Sequence, residues 1–476
     1  MKLRTVAVLA LAGILSTACG AKGADEAAEK DTTVETETGA NGTEAEGGAE
    51  STEGKFGTIE SPCGAGDATI DPADAGLGAD KLRVGVANNR EGLRQGLLKE
   101  LWDASSAFVE WCNAQGGIGG IELEAVDLVT DVTAVEEGMA KACSDVFAMV
   151  GGGYAMDHLL FTGRPDADFH ECGMIAFPGF AVSTDFAEAT DQVQPIPNPA
   201  HLKAGGSYHE LKDLFPDLID NFGTAYGNFA SVKQNNDQVI GQAKAVEGFG
   251  NFTQLEYPLI GADFGVLTQQ VRQAGIELLS FVGEYDNLAS LSQSLRDQSW
   301  EGRITADANQ YDSRLISSQG PEAVEGLVIR LAAHPFEEAD KWPATKQLMG
   351  ILDQYSPGWE RAGLTVQSFS ANLLFAQAVK DCIASGDGVV SRKCVLEAGQ
   401  KITSWTGGGL HAETNPGENK PPICAMLVEI RNGAFTRVHP EIGSEMDTKD
   451  GFYCHEPVTL EGDFGEGNKS KSILDN

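Results

Sequence analysis

Polar and aromatic side chains stand directly after short apolar runs, where they could hold a small molecule but have no means of breaking its bonds. Asn88, Asn89 and Arg90 follow the run that ends at Ala87, and Tyr154 and Phe180 follow two further apolar runs. Asn235, Asp237, Glu284, Tyr285, Asp307, Asn309 and Gln310 are expected at later strand ends. Amide and acidic groups suit a solute with donors or positive charge, and the rings could stack on it. The plainer reading is ordinary loop polarity for the amides and wall packing for the rings. No GxSxG elbow, Walker loop or HExxH pair occurs. His411-Ala412-Glu413 with Pro422 and Cys424 is laid out somewhat like a zinc deaminase site, but the second cysteine of PCxxC is missing. No CxxC or paired HxxxH spacing offers a metal site either. The expectation is a binder, with no enzyme activity, cofactor or metal.

The balance of charge narrows the partner. Acids outnumber bases by 70 to 34 over 476 residues, a formal charge of −36. That argues against nucleic acid and against electrostatic adhesion to anionic lipid. Hydrophobic residues make up 42%, enough to bury a core, and the length suits two medium-sized domains.

The chain opens like an exported protein. Lys2 and Arg4 precede a short apolar stretch, Val6 to Ile14, and the small residues Ser16, Thr17 and Ala18 lead into Cys19. This resembles the bacterial lipobox, although Ser16 holds the place usually taken by Leu. The resemblance implies a signal peptide over 1–18 and a lipid on Cys19; ordinary secretory cleavage is the alternative. Residues 19–56 are rich in Glu, Thr, Gly and Ala and read as a solvated acidic tether.

Nine cysteines less Cys19 leave an even eight, which in an exported chain reads as disulfides. Eight allow about 105 connectivities. Neighbourhood in the expected fold favours Cys143–Cys172 at the ends of consecutive helices. It also favours Cys382–Cys394, which bracket a single connection, and Cys424–Cys454, which bracket the final strand. Cys63–Cys112 is left to tie the segment before the first strand.

These residues need a scaffold. Leu82, Val84 and Val86 alternate as a strand, and Leu93 to Cys112 recur at helical spacing. Ile121, Leu123 and Ala125 alternate with Glu122 and Glu124, as in an edge strand. Phe147 to Val150 and Met174 to Phe177 are continuously apolar, as buried parallel strands require. Such β–α units predict a doubly wound parallel sheet in the order 2-1-3-4. After Pro195, Pro197 and Pro199 the pattern restarts: Phe229 to Val232 reads as a strand running into Asn235-Asn236, Val239 to Val246 as a helix, and Leu278 to Val282 as a buried strand.

The stretch Phe108-Val-Glu-Trp-Cys-Asn-Ala-Gln-Gly-Gly-Ile-Gly-Gly followed by Ile121-Glu-Leu-Glu-Ala-Val-Asp resembles type I periplasmic solute-binding proteins of the leucine/isoleucine/valine-binding family. Phe147-Ala-Met-Val-Gly-Gly-Gly, Ile175-Ala-Phe-Pro-Gly, Ala262-Asp-Phe-Gly and Glu325-Gly326-Leu327-Val328 resemble later family segments in order. The resemblance spans about 80 to 440. It implies an α/β protein of two doubly wound parallel-sheet lobes joined by a three-crossover hinge. Lobe one would be 80–197 and 332–410, lobe two 198–331 and 411–440, with a C-terminal extension over 441–476.

By the same resemblance, the protein is a monomeric lipoprotein on the outer face of the cytoplasmic membrane. It would capture a small polar solute (an amino acid, an amide or a related compound) for ABC permease and ATPase subunits. The alternative is a two-lobed sensor signalling through a membrane partner. The family's third-strand serine falls near Ala155, and its fourth-strand pair on Gly179 and Ala181, so a hydroxyl is missing. Its lobe-two tyrosine matches Tyr285 only after a one-residue shift that otherwise leaves Glu284, and its last acid falls near Ala308, beside Asp307. These departures weigh against an α-amino acid.

Overall fold

Leu82 and Val84 point one way from the first long strand, β1 (Lys81–Asn88), and Ala87 the other, and both sets are buried. A strand covered on both faces must sit inside a sheet. The computed structural model describes residues 54–74 and 80–475, and places β1 between β2 (Glu122–Val129) and β3 (Ala148–Val150), with β4 (Ala176–Phe177) beyond β3. All pairings are parallel, so the order is the expected 2-1-3-4. The expected signal peptide, Cys19 and most of the tether lie outside the described residues. The tether's expected end does not hold, because Phe56 is fully buried, 5.1 Å from the Phe369 ring.

Helices cover both faces. On one, Lys99–Asn113 packs against Gly363–Ser385, a late helix buried almost all round. Its polar residues are satisfied inside: Asn372 donates to Ser105 Oγ at 2.9 Å, and Ser105 and Ser368 hydroxyls lie 3.0 Å apart. On the other face, Val135–Asp145 contributes Val135 and Met139 to a separate core with Tyr154.

From β4 the chain crosses through the proline cluster and a two-residue strand, β5 (Leu202–Lys203), to a second sheet. There β6 (Phe222–Gly227), β7 (Thr253–Tyr257), β8 (Leu278–Val282), β9 (Arg303–Ala306) and β10 (Val328–Leu331) are parallel. A return to the first lobe follows, through Pro343–Tyr355 and Gly363–Ser385. The chain then crosses back to β11 (Cys424–Arg431) and β12 (Ala434–His439), antiparallel strands that complete the order β12-β11-β10-β9-β8-β6-β7. Short β13 (Tyr453–Cys454) pairs with β11, and β14 (Val458–Thr459) pairs with β5. The result is two doubly wound lobes joined by three crossovers.

One expected strand is displaced. Phe229 to Val232 is not a strand; β6 lies just before it, and Ala230–Lys244 is a helix. Two glycines make β6 a poor strand by propensity, but both are packing positions. A Cβ on Gly223 would lie 2.4 Å from Ile276, and one on Gly227 2.3 Å from Leu259. The supposed strand-end pair Asn235-Asn236 is therefore helical.

Four disulfides join Cys63 to Cys112, Cys143 to Cys172, Cys382 to Cys394 and Cys424 to Cys454, the same four pairs that neighbourhood favoured.

Candidate functional site

Strand ends of both lobes and the first crossover line a cavity of about 310 Å³. Ala155, Gly179, Phe180 and Ala181 line it from the first lobe. The second lobe supplies Asn235, Glu284, Tyr285, Asp307, Asn309 and Gln310. The geometry follows from the sheets: loops after parallel strands all open at the carboxyl edge.

Five expected residues lie elsewhere, each for a local reason. Asn88 is buried and donates to Val86 O and Asp127. Arg90 pairs with Asp127 and lies 5.0 Å over the Trp102 ring. Asn89 points inward, donating to Thr130 and accepting the Ala155 N–H at 2.9 Å, so it positions a wall residue without lining the wall. Tyr154 is fully buried and donates to Leu128 O, and burial pushes its hydroxyl pKa up. Asp237 sits on the outer side of its helix, 2.8 Å from Lys233.

The wall is apolar over much of its area, with Leu97, Leu98, Phe180, Phe229, Val232 and Leu364 facing in. Set into it are charged groups that the sequence reading missed. Arg314 reaches from the second lobe to Glu100 of the first at 2.6 Å, and donates to Gly96 O at 2.9 Å. Its guanidinium also lies 4.7 Å over the Tyr285 ring. Burial pushes the Glu100 carboxyl up to about 7, against the pull of Arg314. Arg94 of the first lobe pairs with Glu284 and Asp286 of the second. Ser231 adds a third link, donating to Ala155 O at 2.9 Å. The lobes are thus closed on the cavity.

At the hinge side, Arg330 is buried and already matched: Asp307 accepts from it at 2.5 Å, Thr305 Oγ1 at 3.1 Å, and the Tyr208 ring lies beneath. Lys203, 5% exposed, has a hydrogen bond to Asn198 but no carboxylate within ion-pair distance among the described residues. Burial pushes its pKa down to about 7, with Asp307 and Glu188 pulling the other way. Gln310 donates to Gly283 O at 2.6 Å, while its buried side-chain oxygen lacks a partner among the described residues. One sequence signal pointed to Lys203: it is the only Lys or Arg between Arg164 and Lys212.

The deaminase-like residues have structural roles. His411 is buried, with Ser370 at 2.8 Å from Nε2 and Ala412 O at 2.8 Å from Nδ1, and Cys424 is bonded to Cys454. Among the described residues no group of three or more His, Cys, Asp or Glu could hold a metal ion. Nor is any helix there long and apolar enough to cross a membrane.

Similar proteins share this architecture. No curated protein matches the sequence. A fatty acid ABC transporter substrate-binding protein from Thermomonospora curvata superposes with a TM-score of 0.63 at 16% identity, covering 82% of this chain and 98% of its own. A leucine binding protein from Thermotoga maritima gives 0.60 at 18% identity, with 75% and 97% covered. An ABC transporter solute binding protein from R. palustris, in complex with benzoate, gives 0.62 at 13% identity, with 80% and 98% covered. The family model described as periplasmic binding protein matches residues 177–434, more than half of the chain. The chain therefore belongs to the periplasmic binding protein family, whose members bind solutes and are not enzymes.

Proposed function

We propose that this protein is an extracytoplasmic lipoprotein that captures a small organic solute between its lobes and delivers it to the permease and ATPase subunits of an ABC importer. The observation that carries this reading is a cavity between the lobes, bridged by ion pairs whose partners come from opposite lobes. A solute touching both walls favours the closed state by its differential affinity, and no chemistry is needed. Lobe one is taken as 80–197 with 332–410 and lobe two as 198–331 with 411–440. A lipid on Cys19 and the acidic tether would keep the monomer at the outer face of the cytoplasmic membrane.

Of the similar proteins named above, one is a fatty acid binder, one a leucine binder and one holds benzoate, all small organic solutes. The apolar wall likewise favours a solute with a substantial hydrocarbon part over a wholly polar one. The test is a mass-spectrometric inventory of compounds released when freshly purified protein is denatured, followed by calorimetry with each. A released compound that rebinds at micromolar concentration is the expected result. Absence of any released compound, with no binding of small organic acids, amides or amino acids, would overturn the reading.

A further inference from the structure

We infer that Lys203 is the anion seat of the cavity, and that the solute is a small carboxylic acid with an apolar body. This rests on the solute-capture reading and names the class of compound captured.

Among the described residues three cations line the cavity, and of these Lys203 has no carboxylate within ion-pair distance. Arg314 is matched by Glu100 and Asp312, and Arg330 by Asp307. Lys203 is as buried as Arg330 but has an amide oxygen for its neighbour. An ammonium has three donors, and a buried charge without a partner is costly. The two acids nearest in charge are committed elsewhere: Asp307 accepts from Arg330, and Glu188 accepts the Ala200 N–H at 2.6 Å. An anion entering the cavity supplies the missing partner.

The seat is built, not incidental. Lys203 lies on β5, whose pairing with β14 sets Lys203 opposite Val458. Leu460 N–H donates to His201 O at 2.8 Å and extends that pairing. The C-terminal extension therefore fixes the lysine backbone in the crossover. A single ammonium suits a monoanion. A phosphate ester would bring further charge to a wall that also carries Glu100, Glu284, Asp307 and Asp312. Apolar residues around the seat fit a hydrocarbon body.

The experiment titrates full-length protein, freed of bound compounds by unfolding and refolding, with hexanoate and benzoate. Hexanamide, benzamide and inorganic phosphate serve as controls, and Lys203→Met and Lys203→Arg as variants. The expected result is a preference for acid over amide of tenfold or more, on the order of what one charge-assisted hydrogen bond gives. Lys203→Met should lose that preference, and Lys203→Arg should keep most of it. Because Met removes an uncompensated buried charge, the empty variant should melt at or above the wild-type temperature. Equal binding of acid and amide, tighter binding of phosphate, or unchanged acid affinity in Lys203→Met would overturn the seat and leave solute capture standing. If the wild type binds no probe and the inventory finds no compound, both readings fall.

Discussion

Arg94 and Asp286 stand 192 residues apart in the chain, yet the guanidinium of one lies 2.9 Å from the carboxylate of the other across the cleft. Glu284 shares the same guanidinium. A pair that exists only when the lobes meet stabilises the closed state alone, so its loss should appear in the rate of release. For Arg94→Ala we expect solute affinity to fall about three- to tenfold, mostly through faster dissociation, with little change in melting temperature. Stopped-flow release with a bound solute reads this directly, and unchanged dissociation would show that the pair is no latch.

Binding of an acid should respond to pH through Lys203. Its pKa in the empty cavity is about 7, and a bound carboxylate would raise it, so binding takes up protons above that pH. Affinity for hexanoate should fall as pH rises through 7, by up to about tenfold per unit above it, with the ionisation of Glu100 in the same wall adding to the fall. Calorimetry in buffers of different ionisation enthalpy reports the proton uptake. Lys203→Arg should keep only the shallow step of Glu100 near pH 7 and be flat from pH 8 to 9, and a wild-type profile flat above pH 7 would contradict the assignment.

Stability should respond to acid through His411. Burial holds its pKa down at about 4, so the folded protein keeps the ring neutral while the unfolded chain protonates it near its ordinary value of 6.5. The folded pKa lies below the unfolded one, so this stability is complete above pH 6.5 and is lost as pH falls toward 4. The amount is on the order of 3 kcal/mol. Denaturant melts of wild type and His411→Gln should differ most at pH 7 and converge near pH 4. A constant difference would mean that the ring does not titrate on unfolding.

The cavity loop after β4 should not tolerate even a methyl group at Gly179. A Cβ there would lie 2.3 Å from Gly151 O and 2.8 Å from the Ser368 Cα, both backbone atoms that cannot swing aside. Gly179→Ala should therefore cost roughly 1–3 kcal/mol and distort the wall. The denaturation midpoint measures the first effect, and solute affinity per folded molecule measures the second.

What could be read beforehand followed the periodicity of apolar residues. The acid alternation at Glu122 and Glu124 placed β2 at an edge. Strand-end position brought Phe180, Glu284, Tyr285, Asp307 and Asn309 to the wall. It failed for Asn88, Asn89 and Tyr154 because a residue at a strand end or in the loop beyond it can satisfy its polar atoms by turning back into the sheet, as all three do. It failed for Asn235 in another way. That residue reaches the wall from a helix, because the glycines of β6 concealed the preceding strand. Lys203 and Arg314 acquire their roles only through partners on distant segments, Val458 for one and Glu100 for the other.

No disulfide joins one lobe to the other: Cys143–Cys172 and Cys382–Cys394 lie inside the first, Cys63–Cys112 ties the segment before β1 to it, and Cys424–Cys454 ties the C-terminal extension to β11 of the second. Covalent reinforcement and the moving part are thereby kept apart. Oxidation makes two stiff jaws and leaves their joint compliant, so a reductant should shorten the protein's life in a protease while hardly altering how readily the empty jaws swing.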